Sequence, residues 1–325
     1  MDRALRICVR APEELAEPWQ RLWLRVPGAT PFASPAWLLP WARLYAPGRC
    51  WVAAVEDGGD LRACLPVFWW QRRLLLAGTG PSDHGEALFE PGFECWAPPL
   101  LSASMAAIDR EIDRIELHQL APSSPLLAMP APPGWRDRIE AGDGCPVLTL
   151  GGDDGMAHVR EAARANWRYA NRRLARAGAW VELVSEDQVD GAIDALERLH
   201  GLRWAARGER GVLADPLLRQ LLKDAAPELA RAGLLRLHRL QWQGETAGVL
   251  LAMHAERRTC CYLSGFDPAC AKLGPGIAMV GATIVEAARE GDLAVDFLRG
   301  QEAYKYEWSA VDEPRQRRVF VADPA

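Results

Sequence analysis

Apolar and polar residues recur along the first half of the chain at spacings that predict both strands and helices. Alternation with a period of two predicts strands at 5–9, 51–56, 61–69, 74–77 and 114–117. A turn at 57–60, with the sequence DGGD, joins two of these strands into a hairpin. Apolar residues three and four positions apart predict helices over 13–24 and from Pro35, for which Ser34 is a suitable cap.

The second half shows the same mixture in longer segments. Strands are predicted at 147–150, 234–242, 245–255, 259–266 and 294–298. Helices are predicted at 156–177, 189–204, from Asp215, and at 277–289. Because tight turns join consecutive strands at 243–244 and 256–257, we expect antiparallel neighbours. The chain is therefore predicted to have a mixed α+β fold, with mostly antiparallel sheets flanked by helices.

Composition changes near residue 150, and this change predicts a domain boundary. Of the 24 prolines, 18 lie in residues 1–150 and six in residues 151–325. A proline-rich connection at 121–134 and glycine clusters within 142–155 precede the change. A chain of 325 residues also suits two domains of ordinary size. We expect these domains at 1–150 and 151–325.

Residues 258–308 follow the order strand, glycine-rich loop, helix, strand. The loop at 272–276, with the sequence KLGPG, runs directly into the helix predicted from Ile277. The start of a helix offers unpaired N–H groups and the positive end of a dipole, and glycines let an anion approach the backbone. Lys272 adds a cation. Two interpretations stay open: the loop binds an anionic group, or Gly274 and Gly276 only shape a tight turn.

Three segments of this region resemble the GNAT acyltransferases. They are YLSGFDP at 262–268, the glycine loop with its helix, and DFLRGQEAYKYEW at 296–308. The resemblance covers most of the chain and is strongest over 166–308. It points to the subgroup with two fused GNAT-like domains, which is similar to the Fem peptidoglycan aminoacyltransferases and to acetyltransferases associated with polysaccharide biosynthesis. It implies a degenerate GNAT-like domain at 1–150, an acyltransferase domain at 151–325, and a site in the cleft between them.

The resemblance also implies an acyl donor. In this family the glycine loop holds the pyrophosphate of an acyl-CoA or the phosphate of a related carrier. The cofactor-binding residues carried over in this way are Lys272, Gly274, Gly276 and Ile277. The family's loop reads Q/R-x-x-G-x-G/A, whereas Ala271 stands at the leading position here. We expect acyl-CoA or another thioester as co-substrate, with an acetyl group as the expected acyl group, and no metal.

The sequence shows no nucleophile with a neighbouring base, which favours direct attack of an amine on the thioester carbonyl. Such a reaction needs a proton acceptor, a donor to the oxyanion and an acid for the thiolate. The proton acceptor is predicted to be Asp296 or Glu302, directly or through water. The acid is predicted to be Tyr304 or Tyr306. The resemblance to Fem-like enzymes implies that Lys305 stabilises the oxyanion.

Residues predicted to contact the acceptor come from both halves of the chain. They are Ser82, Asp83, His84, Trp167, Arg168, Arg172, Trp204 and Arg299. The run at 82–84 is either a polar turn or a substrate contact, and it cannot be a catalytic triad because adjacent residues on an extended chain point to opposite sides. Arginines recur every four residues over 160–176, either as a solvated face or as a grip on an anionic substrate. Arg299 is also a candidate ion-pair partner of Asp296.

Charge and cysteine content narrow the classes of function. The net charge of −5 argues against a general nucleic-acid binder. The eight cysteines form no C-x-x-C pair and have no histidine at metal-ligand spacing, so we expect reduced thiols. No stretch approaches the ~20 apolar residues of a spanning helix, and residues 1–15 lack a hydrophobic signal core. We expect a cytoplasmic bacterial protein without a transmembrane segment.

Three functions compete at this stage. The first is N-acylation of a small-molecule or sugar amine from acyl-CoA or from the thioester of an acyl carrier protein. The second is a Fem-like transfer of an aminoacyl group from aminoacyl-tRNA, against which the acidic net charge argues and for which the arginine stripe argues. The third is a binding module without catalysis, against which the intact segment at 296–306 argues.

Overall fold

The computed structural model describes residues 5–108 and 110–323. The chain forms two compact units, one with residues up to Asp143 and from Pro314 onward, the other spanning Gly144–Glu313. These units correct the predicted division into 1–150 and 151–325 at two places. The strand at Cys145–Thr149 belongs to the second unit, and the strand at Gln316–Ala322 returns to the first. Composition carries no signal for this return, because it depends on hydrogen bonds to strands far away in the sequence.

The first unit is built on a mixed sheet. Its strands are β1 (Arg6–Arg10), β2 (Cys50–Asp57), β3 (Asp60–Trp70), β4 (Arg73–Leu76), β5 (Leu88–Phe89), β6 (Arg114–Leu120), β7 (Trp135–Ala141) and β15 (Gln316–Ala322). They are ordered β1-β2-β3-β4-β6-β15-β7, with β5 paired to β3. The pairing of β4 with β6 is parallel and the other pairings are antiparallel.

Helices cover this sheet with large aromatic side chains. They are α1 (Ala16–Trp23), α2 (Pro35–Tyr45), α3 (Ala97–Ala106) and α4 (Pro125–Ala128). Trp19, Trp37 and Trp41 are fully buried, so the tryptophan-rich first half of the sequence supplies the core of this unit.

The second unit contains a second mixed sheet. Its strands are β8 (Cys145–Thr149), β9 (Trp180–Leu183), β10 (Leu235–Trp242), β11 (Glu245–Ala255), β12 (Arg258–Phe266), β13 (Ala294–Asp296) and β14 (Val311–Glu313). They are ordered β14-β8-β13-β12-β11-β10-β9. The pairing of β12 with β13 is parallel and the others are antiparallel. The predicted α+β class, with mostly antiparallel mixed sheets flanked by helices, is confirmed.

The helices of the second unit are α5 (Glu161–Arg176), α6 (Val189–Ala205), α7 (Pro216–Arg231), α8 (Pro275–Arg289) and α9 (Ala303–Glu307). The carboxylate of Asp215 caps α7 by accepting from the amide of Leu217 at 2.9 Å. Helix α5 begins five residues later than its predicted start at 156. Helix α9 was not predicted, because its single turn is too short for a periodic signal. None of the described helices combines the length and the hydropathy needed to cross a bilayer.

The parallel pair in this sheet opens into a fork. Strands β12 and β13 are paired over three positions and their pairing ends at Cys260 and Asp296. Strand β12 continues beyond that point and stays paired with β11 as far as Phe266. The edge of β12 that faced β13 is therefore released over its second half, and the backbone of Phe297 turns to donate to the carbonyl of Pro146. This fork positions the candidate site.

Candidate active site

A pocket of about 250 Å³ lies at the fork, within the second unit. Residues of β12 beyond the last pair, the residue after β13, the start of α8 and the end of α6 contribute to its wall. The side chains and backbone that line it come from Arg203, Arg207, Leu250, Cys261, Tyr262, Leu263, Ser264, Gly276, Ile277, Met279, Val280, Phe297, Tyr304, Glu307 and Trp308. The predicted glycine loop and the predicted aromatic segment therefore border the same pocket.

The start of α8 presents backbone amides at this pocket. Gly276 and Ile277 are the second and third residues of the helix, so their N–H groups have no carbonyl four residues back within it. Gly274 precedes them with φ of 78°, a left-handed conformation that favours glycine, and a Cβ there would lie 3.1 Å from Cβ of Ala170. The absence of a side chain at Gly274 thus lets the start of α8 pack closely against α5. Lys272 is exposed in the preceding turn.

Tyr304 is the pocket residue of α9 with a titratable hydroxyl. Its ring meets that of Phe297 edge to face, with 6.3 Å between centroids. Desolvation raises the pKa of Tyr304 well above its usual range, and the neighbouring Cys261 and Glu302 add to the rise. Burial likewise raises the pKa of the Cys261 thiol to about 12, so neither group ionises near neutral pH. Cys261 is therefore not a nucleophile in this environment.

The ammonium of Lys305 is buried and engaged away from the pocket. Its Nζ donates to the carbonyl oxygens of Leu298, Arg299 and Gly300 at 3.1, 2.7 and 3.1 Å. Nζ also pairs with the carboxylate of Glu302 at 2.9 Å. These four acceptors share the three N–H donors of the ammonium. Lys305 thus holds the loop at 298–300, and its contact with an oxyanion stays a prediction.

The two carboxylates predicted to accept a proton lie outside the pocket wall. Asp296 is fully buried, where Oδ2 accepts from Arg258 at 3.1 Å and Oδ1 accepts from the amide of Leu298 at 2.8 Å. Arg258 is an ion-pair partner of Asp296, and it also binds Glu313 at 2.9 and 3.0 Å. The pairing of Asp296 with Arg299 stays a prediction. Asp296 braces the base of the fork.

Glu302 is exposed and paired with Lys305. The acidic residue among those that line the pocket is Glu307, at the end of α9. Tyr306 faces Asp312, to which its hydroxyl donates at 2.8 Å, and it does not contribute to the described wall of the pocket. Tyr304 and Tyr306 are two residues apart in a single helical turn, so they point in different directions.

Two arginines of the pocket were not predicted from the sequence. Arg203 donates from Nη1 to the hydroxyl of Ser264 at 3.0 Å, and its guanidinium lies 4.8 Å from the centroid of the Phe266 ring. Arg207 lies 5.5 Å from the centroid of the Trp204 ring. Their spacing of four residues, at the end of a predicted helix, was the signal that could have identified them. Residues four apart lie on the same face of a helix.

The predicted acceptor contacts of α5 and α6 have other partners. The indole of Trp167 fills the space above Gly281, where a Cβ would come within 2.2 Å of Nε1. Arg168 pairs with Glu161, which also binds Arg164 at 2.6 Å, so a carboxylate of the same helix offsets part of the arginine stripe. Arg172 is exposed.

Trp204 likewise has a packing role. It packs under Gly211, where a Cβ would lie 2.6 Å from Cγ of the indole. Its ring also lies against the guanidinium of Arg207, and Trp204 is not among the residues that line the pocket.

The run at 82–84 belongs to the first unit and forms contacts within it. The hydroxyl of Ser82 accepts from Nε1 of Trp37 at 2.8 Å. His84 is buried, and Nη2 of Arg315 donates to its Nε2 at 3.2 Å. Asp83 is partly exposed. Ser82 and His84 thus take part in the packing of the first unit, and the substrate contact predicted for the three residues stays a prediction.

Comparisons with known proteins agree with this architecture. Residues 161–306 match the family model described as an acetyltransferase (GNAT) domain. FemX has the same fold with a TM-score of 0.67 at 10% identity, over 96% of this chain and 96% of that chain. The C-terminal domain (DUF2156) of a protein assigned as a lysylphosphatidylglycerol synthetase from Agrobacterium fabrum gives a TM-score of 0.63 at 16% identity, over 95% and 92%.

L-PGS from Bacillus licheniformis gives a TM-score of 0.55 at 12% identity, over 81% of this chain and 82% of that chain. No curated protein sequence matches the chain. The family model covers the helix, loop and fork that form the pocket, and the structural similarity to FemX extends over both units. Residues 161–306 therefore match a GNAT acetyltransferase domain, and the chain as a whole has a fold similar to that of FemX.

Proposed function

We propose that the second unit transfers an acyl group, expected to be acetyl, from a thioester to the nitrogen of an amine in the pocket at the fork. The observation that carries this proposal is that the start of α8, the hydroxyl-bearing Tyr304 and the carboxylate of Glu307 border one pocket. The amides at the start of α8 suit the phosphate of a carrier, the hydroxyl of Tyr304 suits a departing sulfur, and Glu307 suits an ammonium.

The donor is a thioester whose carrier bears phosphate, as acyl-CoA and acyl carrier proteins do. Gly276 and Ile277 supply the amides for the phosphate, aided by the positive end of the α8 dipole. A Cβ at Gly276 would have its nearest neighbour at 4.0 Å, so the backbone there is open to a ligand. Lys272 is close enough in sequence to add a cation at the rim.

The reaction is direct aminolysis. The ammonium of the acceptor gives one proton to the carboxylate of Glu307, and the freed nitrogen attacks the carbonyl carbon. The C–N bond forms, the C–S bond breaks, and the thiolate leaves with the second proton of the nitrogen. Because the pKa of the Tyr304 phenol lies above that of a thiol, Tyr304 keeps its proton and stabilises the departing sulfur by donating a hydrogen bond.

A second candidate is transfer of an aminoacyl group from aminoacyl-tRNA. The similarity of fold to FemX and to a domain assigned to a lysylphosphatidylglycerol synthetase favours it. The two candidates share the acceptor chemistry, attack of a nucleophile on an activated carbonyl, and differ in the donor. An ester of tRNA leaves a hydroxyl and a thioester leaves a thiol, so the released group identifies the donor.

The test incubates the full chain with an amine panel and either acetyl-CoA or a mixture of aminoacyl-tRNAs. We expect N-acetylated product with acetyl-CoA, quantified by mass spectrometry so that the eight protein cysteines do not interfere with thiol detection. Aminoacylated product with tRNA alone would replace the first candidate by the second. Absence of product from either donor would contradict acyl transfer at this pocket.

A further inference from the structure

We infer that the acceptor is a small amine that also carries a carboxylate, of the size of an α-amino acid. Arg203 and Arg207 bind its carboxylate, and Glu307 faces its ammonium. This inference rests on the proposed function, because it names the class of acceptor for the same pocket. Arg203 and Arg207 lie outside the segments on which the family resemblance was based, whereas Glu307 lies in the segment at 296–308.

Arg203 is held in place by groups other than a carboxylate. Its Nη1 donates to the hydroxyl of Ser264, and the Phe266 ring lies against its guanidinium. The guanidinium is thus fixed in orientation while its full positive charge stays available for an anion. A planar guanidinium with several N–H donors is suited to bidentate binding of a carboxylate.

Arg207 places a second positive charge at the same wall. Desolvation lowers the pKa of Arg203, and the like charge of Arg207 lowers it further, whereas Tyr304 and Glu302 oppose the shift. Two like charges in a partly desolvated pocket repel each other, and an anion between them relieves that repulsion. Phosphate of the donor is already accounted for by the start of α8, so the arginine pair serves a different anionic group.

The remaining wall fits a molecule of amino-acid size. The cavity of about 250 Å³ is below the range of ~300–1,000 Å³ that drug-sized ligands occupy, and the acceptor shares it with the acyl end of the donor, so only a small acceptor fits. Met279, Val280, Phe297 and Trp308 form an apolar part that suits an apolar substituent. Two arginines, an acidic residue and apolar side chains thus line one cavity, and these groups match the three parts of an apolar amino acid.

Binding is tested without the donor, by isothermal titration calorimetry of the full chain with each of the proteinogenic amino acids. For every amino acid that binds, its amide, which keeps the amine and loses the carboxylate, is the matched ligand. We expect the amides to bind at least tenfold more weakly. The double variant Arg203→Gln/Arg207→Gln is expected to lose at least tenfold affinity for the acid and to bind acid and amide equally.

Arg210→Gln is the control variant, since Arg210 is exposed and not on the pocket wall, and it should bind as the wild type does. Far-ultraviolet circular dichroism checks that the double variant is folded, and Arg203→Lys/Arg207→Lys, which keeps both charges, should restore part of the preference for the acid. Equal affinity for acid and amide in the wild type, or no binding of any amino acid, would overturn the inference.

Acyl transfer is measured separately on the same ligands. Carboxylate-dependent binding without acyl transfer would contradict the proposed function and leave the anion site standing. Transfer to acids and amides with equal kcat/KM would overturn the inference and leave the proposed function standing.

Discussion

Arg258 and Asp296 are joined at 3.1 Å across the two strands that diverge to form the pocket. Asp296 is the last paired residue of β13, and Arg258 lies on β12 two residues before its last paired position. Because Asp296 is fully buried and its second oxygen accepts from the amide of Leu298, the pair fixes where the strands separate. The shape of the pocket therefore depends on an ion pair beneath it.

The first prediction concerns this brace. Asp296→Asn keeps the shape of the side chain and removes its charge, and we expect the free energy of unfolding to fall by about 2 kcal/mol in urea titrations. Glu228→Gln, which removes an exposed pair with Arg231, is expected to change it by at most about 0.5 kcal/mol. A loss of kcat beyond 100-fold with unchanged stability would instead restore Asp296 as the proton acceptor.

Lys305 is predicted to affect stability more than the rate. Lys305→Met keeps the length of the side chain and leaves the carbonyls of 298–300 without their buried donor, which costs about 2 kcal/mol of unfolding free energy. Among folded molecules, kcat should stay within a few-fold of the wild type. If stability is unchanged and kcat falls by about 100-fold or more, the ammonium contacts the oxyanion after all.

Tyr304 is predicted to affect the rate more than stability. Tyr304→Phe removes the hydrogen bond to the departing thiolate, and we expect kcat to fall by about 100-fold with a small change in KM for the donor. Tyr306→Phe is the matched control, since that hydroxyl binds Asp312, and its kcat should stay within about fivefold. Steady-state kinetics of product formation decide the matter. Similar rates for Tyr304→Phe and the wild type would exclude the role given to Tyr304.

The start of α8 can be tested with a charge. Gly276→Asp places a carboxylate where the donor's phosphate is expected, and a Cβ at this position has its nearest neighbour at 4.0 Å. An acidic residue also suits the first turn of a helix, so the variant should fold. We expect KM for acetyl-CoA to rise at least tenfold.

S-acetylpantetheine, which lacks phosphate, is the matched donor for this variant and should show no such change. Gly276→Ala controls for the loss of glycine. An equal effect of Gly276→Asp on both donors would mean that the amides do not bind phosphate.

Gly281 is predicted to be required where Trp167 crosses α8. Alanine in a helix interior is favoured over glycine by about 1 kcal/mol, but a Cβ at Gly281 would collide with the indole and overpacking costs about 1–3 kcal/mol. The net effect of Gly281→Ala is therefore a loss of stability, together with a shift in tryptophan fluorescence. Gly191→Ala in α6, where nothing lies within 4 Å of the new Cβ, should be stabilising. A stabilising Gly281→Ala would show that Trp167 moves freely.

Local sequence signals predicted the elements of the fold well and the partners of the site residues poorly. The loop before α8 could be predicted from the sequence because Gly274, Pro275 and Gly276 determine the local backbone conformation. The ion pair of Asp296 with Arg258 could not be predicted locally. The two residues are 38 positions apart in the sequence, and the pairing of β12 with β13 brings them together. Composition likewise could not place β15, whose partners lie in β6 and β7.

The same distinction applies to the candidate site. The motif at 296–308 identified the pocket, yet the direction of each side chain depends on one helical turn that has no periodic signal. Lys305 points inward to the loop at 298–300, whereas Tyr304 and Glu307 border the cavity. Arg203 and Arg207 lie outside the motif and enter the site only through the packing of α6 on β12.

The position of β15 also determines when the sheet of the first unit can be completed during synthesis at the ribosome. β15 hydrogen-bonds to β6 on one side and to β7 on the other, and β7 has no other partner among the described strands. The first unit therefore cannot complete its sheet while the nascent chain is still growing through the second unit. All residues of the second unit are synthesised before β15, so the second unit can fold before the sheet of the first unit is complete.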